Sequence, residues 1–277
     1  MNKIKFSKDS YFLPSSWHEM STKSLVTLSK LVINYKDSTG ILFKLALKIM
    51  GMRMAYRKSI EIDGKRHFYI RQGRNIYLVT SAQMAPLIET LSFIFQDNDI
   101  KPVFVKNPFP ELKTGIFKKL LGPADGLTNI TFGEFIQAEI QRSAWNDTKN
   151  EAHLNNFLAI LWRPPAHNHA DGDKRVPLLQ DTVDKTSKAI ARQPPHIKQV
   201  MTWFYYGCLD FLYNKFDYVF SPGEPGKIST FDSFMNLVGS LAKNDLSKFD
   251  TVRNSPLYDA LYNLQSIMEN QEKLKSK

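Results

Sequence analysis

The sequence predicts a mainly α-helical protein of the α+β class, with a small antiparallel β-hairpin in its first half and a bundle-like helical second half. Apolar residues recur at helical spacing through most of the 277 residues, whereas alternation with a period of two is confined to residues 60–80. The chain is 43% hydrophobic and 12% aromatic, which is enough for one large core or two smaller ones.

Two helices are predicted after a short N-terminal arm. Ser21 or Thr22 can cap the first helix. The second helix runs through STGILFKLALKIMGMRMAYRKS and is broken or bent near Gly51. Its lysines and the arginines that follow do not share one face, which favours a core helix with snorkelling side chains over a membrane-surface helix. The apolar stripe of the first helix consists of Leu25, Leu28, Leu31 and Val32.

A change of period then predicts strands. Residues 60–80 alternate around two turn signals, Asp63-Gly64 and Gly73-Arg74, which predicts two or three short antiparallel strands. A helix over SAQMAPLIETLSFIFQ follows. Residues 97–125 contain four prolines and several glycines, so we expect an irregular connection there.

The second half is predicted to consist of helices. Thr131 and Glu134 have the spacing of a capping box for a helix over ITFGEFIQAEIQRSAW. The next helix, NEAHLNNFLAILWR, ends at Pro164-Pro165. Further helices are expected at DTVDKTSKAIARQ, in the aromatic-rich stretch HIKQVMTWFYYGCLDFLYNKFDYVF, at FDSFMNLVGSLA and at the C-terminus.

These elements predict four regions along the chain. A basic helical domain with a β-hairpin covers residues 1–100, and a Pro- and Gly-rich connection covers 101–126. A helical domain follows over 127–220, and C-terminal helices occupy 221–277 after a flexible joint.

The net charge of +10 is concentrated at the N-terminus. Residues 1–75 hold fifteen Lys and Arg against five Asp and Glu, whereas the remainder holds 22 of each. Such asymmetry indicates contact with nucleic acid, an anionic surface or an acidic partner, or else a solubilising face. In one interpretation Phe68 or Tyr69 stacks on bases; in the other the segment is a half-buried strand. The candidate nucleic-acid or anion contacts are Lys65, Arg66, Arg71 and Arg74.

The sequence predicts no catalytic residue and no cofactor. It contains no G-x-S-x-G elbow, no Walker A loop, no G-x-G-x-x-G motif and no H-E-x-x-H pair. The single cysteine, Cys208, excludes a disulfide framework and indicates an intracellular, reducing setting. Neither a signal peptide nor a membrane span is expected. Carboxylate pairs on the predicted helices are expected to be solvated: Asp181 and Asp184, and Glu134 and Glu139.

The loop within residues 158–177 is the one candidate metal site. Imidazole and carboxylate ligands close together suit Mn, Mg or Ni better than a structural zinc. The cluster lies between prolines and a basic pair, with no helix to fix its geometry, so we interpret it as a solvent-facing connector. Its histidines could make the loop pH-sensitive. The candidate ligands are His167, His169, Asp171 and Asp173.

Four segments of the second half resemble a pattern in proteins of tailed phages and prophages: NITFGEFIQAE, NNFLAILWRP, GDKRVP and WFYYGCLDFL. Arg163 and Pro164 match the most recognisable point of that pattern, and Trp162 stands where tyrosine is commoner. The chain is thus similar to tail-assembly chaperones and tail-module proteins, particularly of phages infecting Bacteroidetes-type hosts. The resemblance covers about half of the chain, centred on 128–220, and the basic first quarter is a departure from it.

The resemblance implies non-enzymatic work as an assembly chaperone or structural adaptor, in the host cytoplasm during assembly or in the virion. Implied partners are other phage tail or particle proteins, with a homo-oligomer left open and no membrane. Two alternatives remain: a basic nucleic-acid-binding protein acting through residues 1–75, and a metal-dependent hydrolase using the loop in 158–177. The expected partner-binding residues are Trp162, Arg163, Trp203, Phe204, Tyr206 and Phe211.

Overall fold

The computed structural model confirms a mainly α-helical α+β chain with small antiparallel sheets. The chain divides into two compact units, Met1–Phe104 and Val105–Lys277. The division falls at the start of the predicted connection 101–126, so most of that connection belongs to the second unit. The structure describes residues 1–6, 9–56, 59–97, 99–115, 118–166, 173–220 and 230–275.

The first unit combines helices with short antiparallel strands. Strand β5 is central to the largest sheet, where it pairs with β3, β4 and β6, while β1 pairs with β2 and β7 with β8. The helices are α1 (Thr22–Asn34), α2 (Ser38–Ile49) and α3 (Ser81–Thr90). The strands are β1 (Asn2–Phe6), β2 (Asp9–Leu13), β3 (Arg53–Met54), β4 (Ile60–Ile62), β5 (Lys65–Gln72), β6 (Asn75–Thr80), β7 (Phe95–Gln96) and β8 (Asp99–Ile100).

The turn between β4 and β5 has the predicted hairpin chemistry. Asp63 and Gly64 both have positive φ, at 51° and 69°, which is the backbone that matches the twist of the flanking strands. Three segments differ from the predictions. The N-terminal arm pairs as the hairpin β1–β2. The helix predicted over residues 38–59 ends at Ile49, and Arg53–Met54 form a strand of the sheet. The helix predicted over residues 81–96 ends at Thr90 before a 3-10 turn.

Helix α2 is a core helix, as its scattered charges predicted. Phe43 packs against Phe68 of β5, with ring centroids 6.0 Å apart. The ammonium of Lys44 lies 3.1 Å from the ring centroid of Tyr35, so this lysine leaves the core at the helix edge. Gly51 adopts a φ of 72° just after the helix end, a conformation that favours glycine. The buried face of α2 comprises Ile41, Leu42, Phe43, Leu45, Ala46 and Leu47.

The second unit is a helical bundle with one small hairpin. None of the helices in the described part of the chain is long and apolar enough to cross a membrane. The strands are β9 (Glu111–Lys113) and β10 (Lys119–Leu121). The helices are α4 (Phe132–Thr148), α5 (Glu151–Leu161), α6 (Gln180–Ala191), α7 (Pro195–Lys215), α8 (Thr230–Ala242), α9 (Phe249–Asn254) and α10 (Leu257–Lys275).

Helix α7 passes through the middle of this unit. Tyr205 packs edge-on against Phe157 of α5, with ring centroids 4.8 Å apart. Helices α8, α9 and α10 pack on α4, where Phe234 meets Phe135 at 5.8 Å between ring centroids. The predicted regions 127–220 and 221–277 therefore share one core.

The start of α4 shows why its sequence is FGEF. Phe132 and Phe135 are fully buried, and Thr131 accepts a hydrogen bond from the Glu134 N–H as the helix cap. A Cβ on Gly133 would lie 2.9 Å from the carbonyl oxygen of Arg253, so the close approach of α9 requires glycine here. The carboxylate of Glu134 turns inward instead of completing the predicted capping box.

The Pro- and Gly-rich segment before α4 is fastened to the end of α5. The indole N–H of Trp162 donates to the Phe109 carbonyl at 2.9 Å. Leu121 and Arg163 exchange two backbone hydrogen bonds, of 2.7 and 3.0 Å. A Cβ on Gly122 would lie 2.5 Å from the Trp162 indole nitrogen, so only glycine fits between them. The segment is part of the packed unit and fixes the position of the β9–β10 hairpin.

Candidate interaction sites

Four charged side chains meet in the second unit, in what we call the ion cluster: Glu134, Arg163, Asp173 and Arg175. Arg163 Nη1 lies 2.7 Å from Glu134 Oε1, and its Nη2 donates to Asp173 Oδ2 at 3.0 Å. Arg175 Nη2 donates to the same two carboxylates, at 3.1 Å to Glu134 Oε2 and 2.8 Å to Asp173 Oδ2. Each carboxylate therefore bridges both guanidinium groups.

The ion cluster is buried as a neutral set. Both arginine side chains are 1% exposed and Glu134 is 8% exposed, whereas Asp173 is 26% exposed. An unpaired charge at such depth costs several kcal/mol, about 3–5 when one partner of a buried pair is removed. Burial and the neighbouring Arg175 lower the pKa of Arg163, while Glu134 and Asp173 oppose that shift.

The ion cluster also closes helix ends. Arg175 Nη1 donates to the carbonyl of Leu161, the last residue of α5, at 2.6 Å, and its Nη2 donates to the carbonyl of Asn129 at 3.3 Å. Carbonyls at a helix C-terminus have no partner within the helix, so a guanidinium there satisfies groups that would otherwise be orphaned. One side chain thus connects the end of α5 to the approach to α4.

Of the four candidate metal ligands, only Asp173 lies among the described residues. Asp173 belongs to the ion cluster, where Oδ1 accepts from the N–H and Nε of Arg175 and Oδ2 accepts from both arginines. Its lone pairs are therefore largely taken. Among the described residues, no three His, Cys, Asp or Glu side chains lie close enough to hold a metal ion. The remaining candidates, His167, His169 and Asp171, lie outside the described residues.

Two carboxylates predicted to be solvated are buried instead. Glu134 belongs to the ion cluster, and Glu139 accepts bonds of 2.6 and 2.8 Å from Arg142 and of 2.9 Å from the Tyr205 hydroxyl. Burial and the charge of Glu139 raise the pKa of Tyr205. The physical reason for the error is that both acids face inward from α4, where Arg163 and Arg175 of other segments neutralise Glu134 and Arg142 of the same helix neutralises Glu139. Asp181 and Asp184 are exposed, as predicted.

Two residues of the ion cluster could have been recognised in the sequence, because each is a charged residue within or next to an apolar run. Glu134 lies inside the apolar run ITFGEFI, and Arg163 directly follows the apolar run FLAILW. A charge inside an apolar run indicates burial with a partner rather than exposure. The neighbouring sequence, however, does not identify the ion-pair partner of either residue.

Most of the predicted partner-binding residues are core residues. Trp162, Arg163 and Phe204 are completely buried, and Trp203 is nearly so. Trp162 packs edge-on against Phe204, with ring centroids 6.1 Å apart. These four side chains are therefore not available at the surface of the described fold. Tyr206 is half-buried and Phe211 is exposed.

Phe211 belongs to an aromatic patch at the C-terminal end of α7, which we call the aromatic surface: Phe211, Lys215, Phe216, Tyr258 and Tyr262. The Lys215 ammonium lies 5.1 to 5.7 Å from the centroids of all four rings. The Phe216 and Tyr262 rings meet edge-on at 5.0 Å. Phe211 is 42% exposed and Tyr262 54% exposed, so the patch combines a packed base with two open rings.

Basic and aromatic residues share one face of the first unit's largest sheet, which we call the basic sheet face: Arg53, Lys65, His67, Tyr69 and Arg71. Arg53 lies directly opposite Arg71 in the strand register, and residues so paired are on the same face. Tyr69 and Tyr56 meet edge-on, with centroids 5.2 Å apart. None of the strand positions on this face holds a carboxylate.

The predicted nucleic-acid contacts divide between the two sides of that sheet. Lys65 and Arg71 lie on the basic sheet face, whereas Arg66 lies on the other face, opposite Glu61. Arg74 is exposed in the turn between β5 and β6. Phe68 packs against Phe43 in the core, so the ring on the basic sheet face is that of Tyr69.

Cys208 lies in the core of the second unit. It is fully buried in α7, and burial raises the pKa of its thiol. A thiol nucleophile needs the opposite shift and an exposed setting. Cys208 is therefore a small core residue.

Comparisons with protein-family models, with curated proteins and with solved structures found no match to this chain.

Replacing Glu134 by glutamine is expected to destabilise the second unit by about 3–5 kcal/mol, because it leaves two buried guanidinium groups facing one carboxylate. Glu111→Gln is the matched control, since Glu111 forms an exposed pair with Lys119 and its loss costs less than about 1 kcal/mol. Urea unfolding followed by tryptophan fluorescence and circular dichroism measures both. Equal effects of the two substitutions would show that the ion cluster does not support the fold.

The native protein is expected to react with a thiol reagent at pH 8 at least about a hundredfold more slowly than the urea-unfolded chain, because the Cys208 thiol is buried and protonated. Since the chain has one cysteine, the rate reports opening of the second unit alone. Comparable rates in the two states would place Cys208 at the surface.

Proposed function

We propose that the chain is a tail-module protein of a phage or prophage, an assembly chaperone or structural adaptor that acts through protein–protein contacts in the host cytoplasm or in the particle. The observation that carries the proposal is the aromatic surface, which the end of α7, within the resembling region 128–220, forms together with Tyr258 and Tyr262 of α10. The resembling motifs FGEFI and LWRP supply the core and ion cluster beneath the surfaces of this unit.

The aromatic surface has the composition of a protein-binding hot spot. Such sites contain rigid aromatic side chains that bury a large area at a low cost in conformational entropy. Phe211 and Tyr262 are open to solvent, and Lys215 between the rings offers an ammonium to a carbonyl or carboxylate of the partner. A partner that covers both rings would displace water from a patch already packed on its inner side.

Co-expression with tail-tube and tape-measure proteins of a phage tail module tests the proposal. We expect one of them to co-purify with the wild-type chain and to be lost with Phe211→Ser combined with Tyr262→Ser. Leu179→Ser is the matched control, because Leu179 is also an exposed apolar side chain but precedes α6.

Failure of every tail protein to co-purify with the wild-type chain would contradict the assembly role. Retention of the partner by the double variant would contradict the aromatic surface as its site. A shift of the purified chain from dimer to monomer in the double variant would instead assign the surface to a second copy of the chain.

A second candidate function, nucleic-acid binding, is supported by the basic sheet face. Basic side chains that track phosphates beside a ring that stacks on bases form the usual surface for single strands. Arg53, Lys65 and Arg71 supply the charges, and Tyr69 supplies the ring. We do not propose the hydrolase alternative, because Asp173 is engaged by arginines.

Single-stranded DNA binding by fluorescence anisotropy at several salt concentrations tests this second candidate. Arg53→Ala is expected to weaken binding several-fold and to reduce the salt slope by about 0.7, the contribution of one phosphate contact. Arg66→Ala is the matched control, an arginine of the same sheet on the opposite face. Equal losses for the two variants, or binding insensitive to salt, would rule out recognition by this face.

A further inference from the structure

A groove of about 660 Å³ in the second unit lies between the β9–β10 hairpin, the Pro164–Pro165 step and helix α6. This volume is in the range of pockets that bind small molecules. No aspartate or glutamate is among the described residues that line it. Its walls contain five basic side chains: Lys118, Lys119, Lys185, Lys188 and Arg192.

Two of these five cations have a counter-ion. Lys119 lies 2.8 Å from Glu111, and Lys185 lies 2.5 Å from Asp181. The other three, Lys118, Lys188 and Arg192, form no ion pair with any carboxylate in the described part of the chain. Within the described residues, three positive charges at the groove are therefore not neutralised.

Helix stability accounts for only part of this arrangement. Lys188 and Arg192 lie at the C-terminal end of α6, where cations interact favourably with the helix dipole. Lys118, however, comes from the hairpin, which has no such dipole, and it faces the same groove. The helix dipole therefore explains the position of two of these cations but not that of the third.

The apolar part of the lining, which we call the floor, consists of Leu120, Pro164, Pro165 and Ala189. Two hydroxyl residues, Thr114 and Thr186, also line the groove. Proline has no N–H, so the Pro164–Pro165 step offers ring surface rather than backbone donors. A planar base or sugar could pack there while charged groups reach the lysines at the rim.

The groove is built on a fixed frame. Leu121 of the hairpin pairs with Arg163, whose side chain belongs to the ion cluster, and Pro164 follows directly. The hairpin wall and the proline floor are therefore held in place by buried charges. A preformed site loses less conformational entropy when a ligand binds.

We propose that this groove binds a nucleoside polyphosphate, as a free nucleotide or as the phosphorylated end of a nucleic-acid strand. Lysine ammonium and arginine guanidinium groups both bind phosphate oxygens, and the three positive charges of Lys118, Lys188 and Arg192 match a chain of two or three phosphates. An acidic peptide would have to place three carboxylates side by side to neutralise the same space. The site is separate from the aromatic surface and the basic sheet face, and it does not rest on the tail-module role.

Isothermal titration of the full chain with ATP, inorganic triphosphate, a 5′-phosphorylated oligonucleotide and a glutamate-rich peptide tests the proposal. Lys188→Glu combined with Arg192→Glu is expected to weaken ATP binding by about tenfold or more, since it reverses two charges at the groove. Lys30→Glu with Lys36→Glu, exposed residues of the first unit, makes the same change in net charge and is expected to leave the affinity within about twofold.

Tighter binding of ATP than of triphosphate supports a base on the apolar floor, and binding of the oligonucleotide alone assigns the phosphates to a nucleic-acid end. Absence of binding by all three phosphate probes, equal binding to both double variants, or preference for the glutamate-rich peptide would overturn the proposal. If Cys208 of the Lys188→Glu and Arg192→Glu double variant reacts with a thiol reagent as slowly as in the wild-type chain, the second unit of the variant is folded.

Discussion

The ion cluster is the constraint on which the second unit depends. Its two arginines and two carboxylates can be buried only together, because each charge removed from water needs an opposite charge within hydrogen-bonding distance. Guanidinium hydrogen bonds are directional, so the start of α4, the end of α5 and the approach to α6 meet in one arrangement. The backbone pairing of Arg163 with Leu121 extends that arrangement to the hairpin.

This constraint separates structural motifs from functional surfaces. Every residue of FGEF has a role inside the unit: two phenylalanines in the core, a glycine at a close helix approach and a glutamate in the ion cluster. The same holds for Trp162 and Arg163 of the WRP motif. The side chains of these two segments therefore stabilise the interior of the second unit rather than its surface.

Positive charge is used differently in the two units. The first unit spreads its excess of lysine and arginine over helices and a sheet, and only a few of these residues share a face with an aromatic ring. The second unit has nearly equal numbers of basic and acidic residues, yet three cations without an ion pair among the described residues line one groove. Counting charges along the sequence therefore identified the basic first quarter but not the groove, because the cations of the groove come from elements that are neighbours only in the folded structure.

The sequence by itself determined the fold class, the capped helices α1 and α4, the two-residue turn between β4 and β5, and the core position of α2, because caps, turns and periodicity act over a few neighbouring residues. Only the tertiary structure decided that Glu134 and Glu139 are buried, that Trp162 and Arg163 are core residues, and that Lys118 and Lys188 line one groove. The residues brought together in these cases lie up to 70 positions apart, and their proximity follows from the packing of the elements rather than from any local pattern.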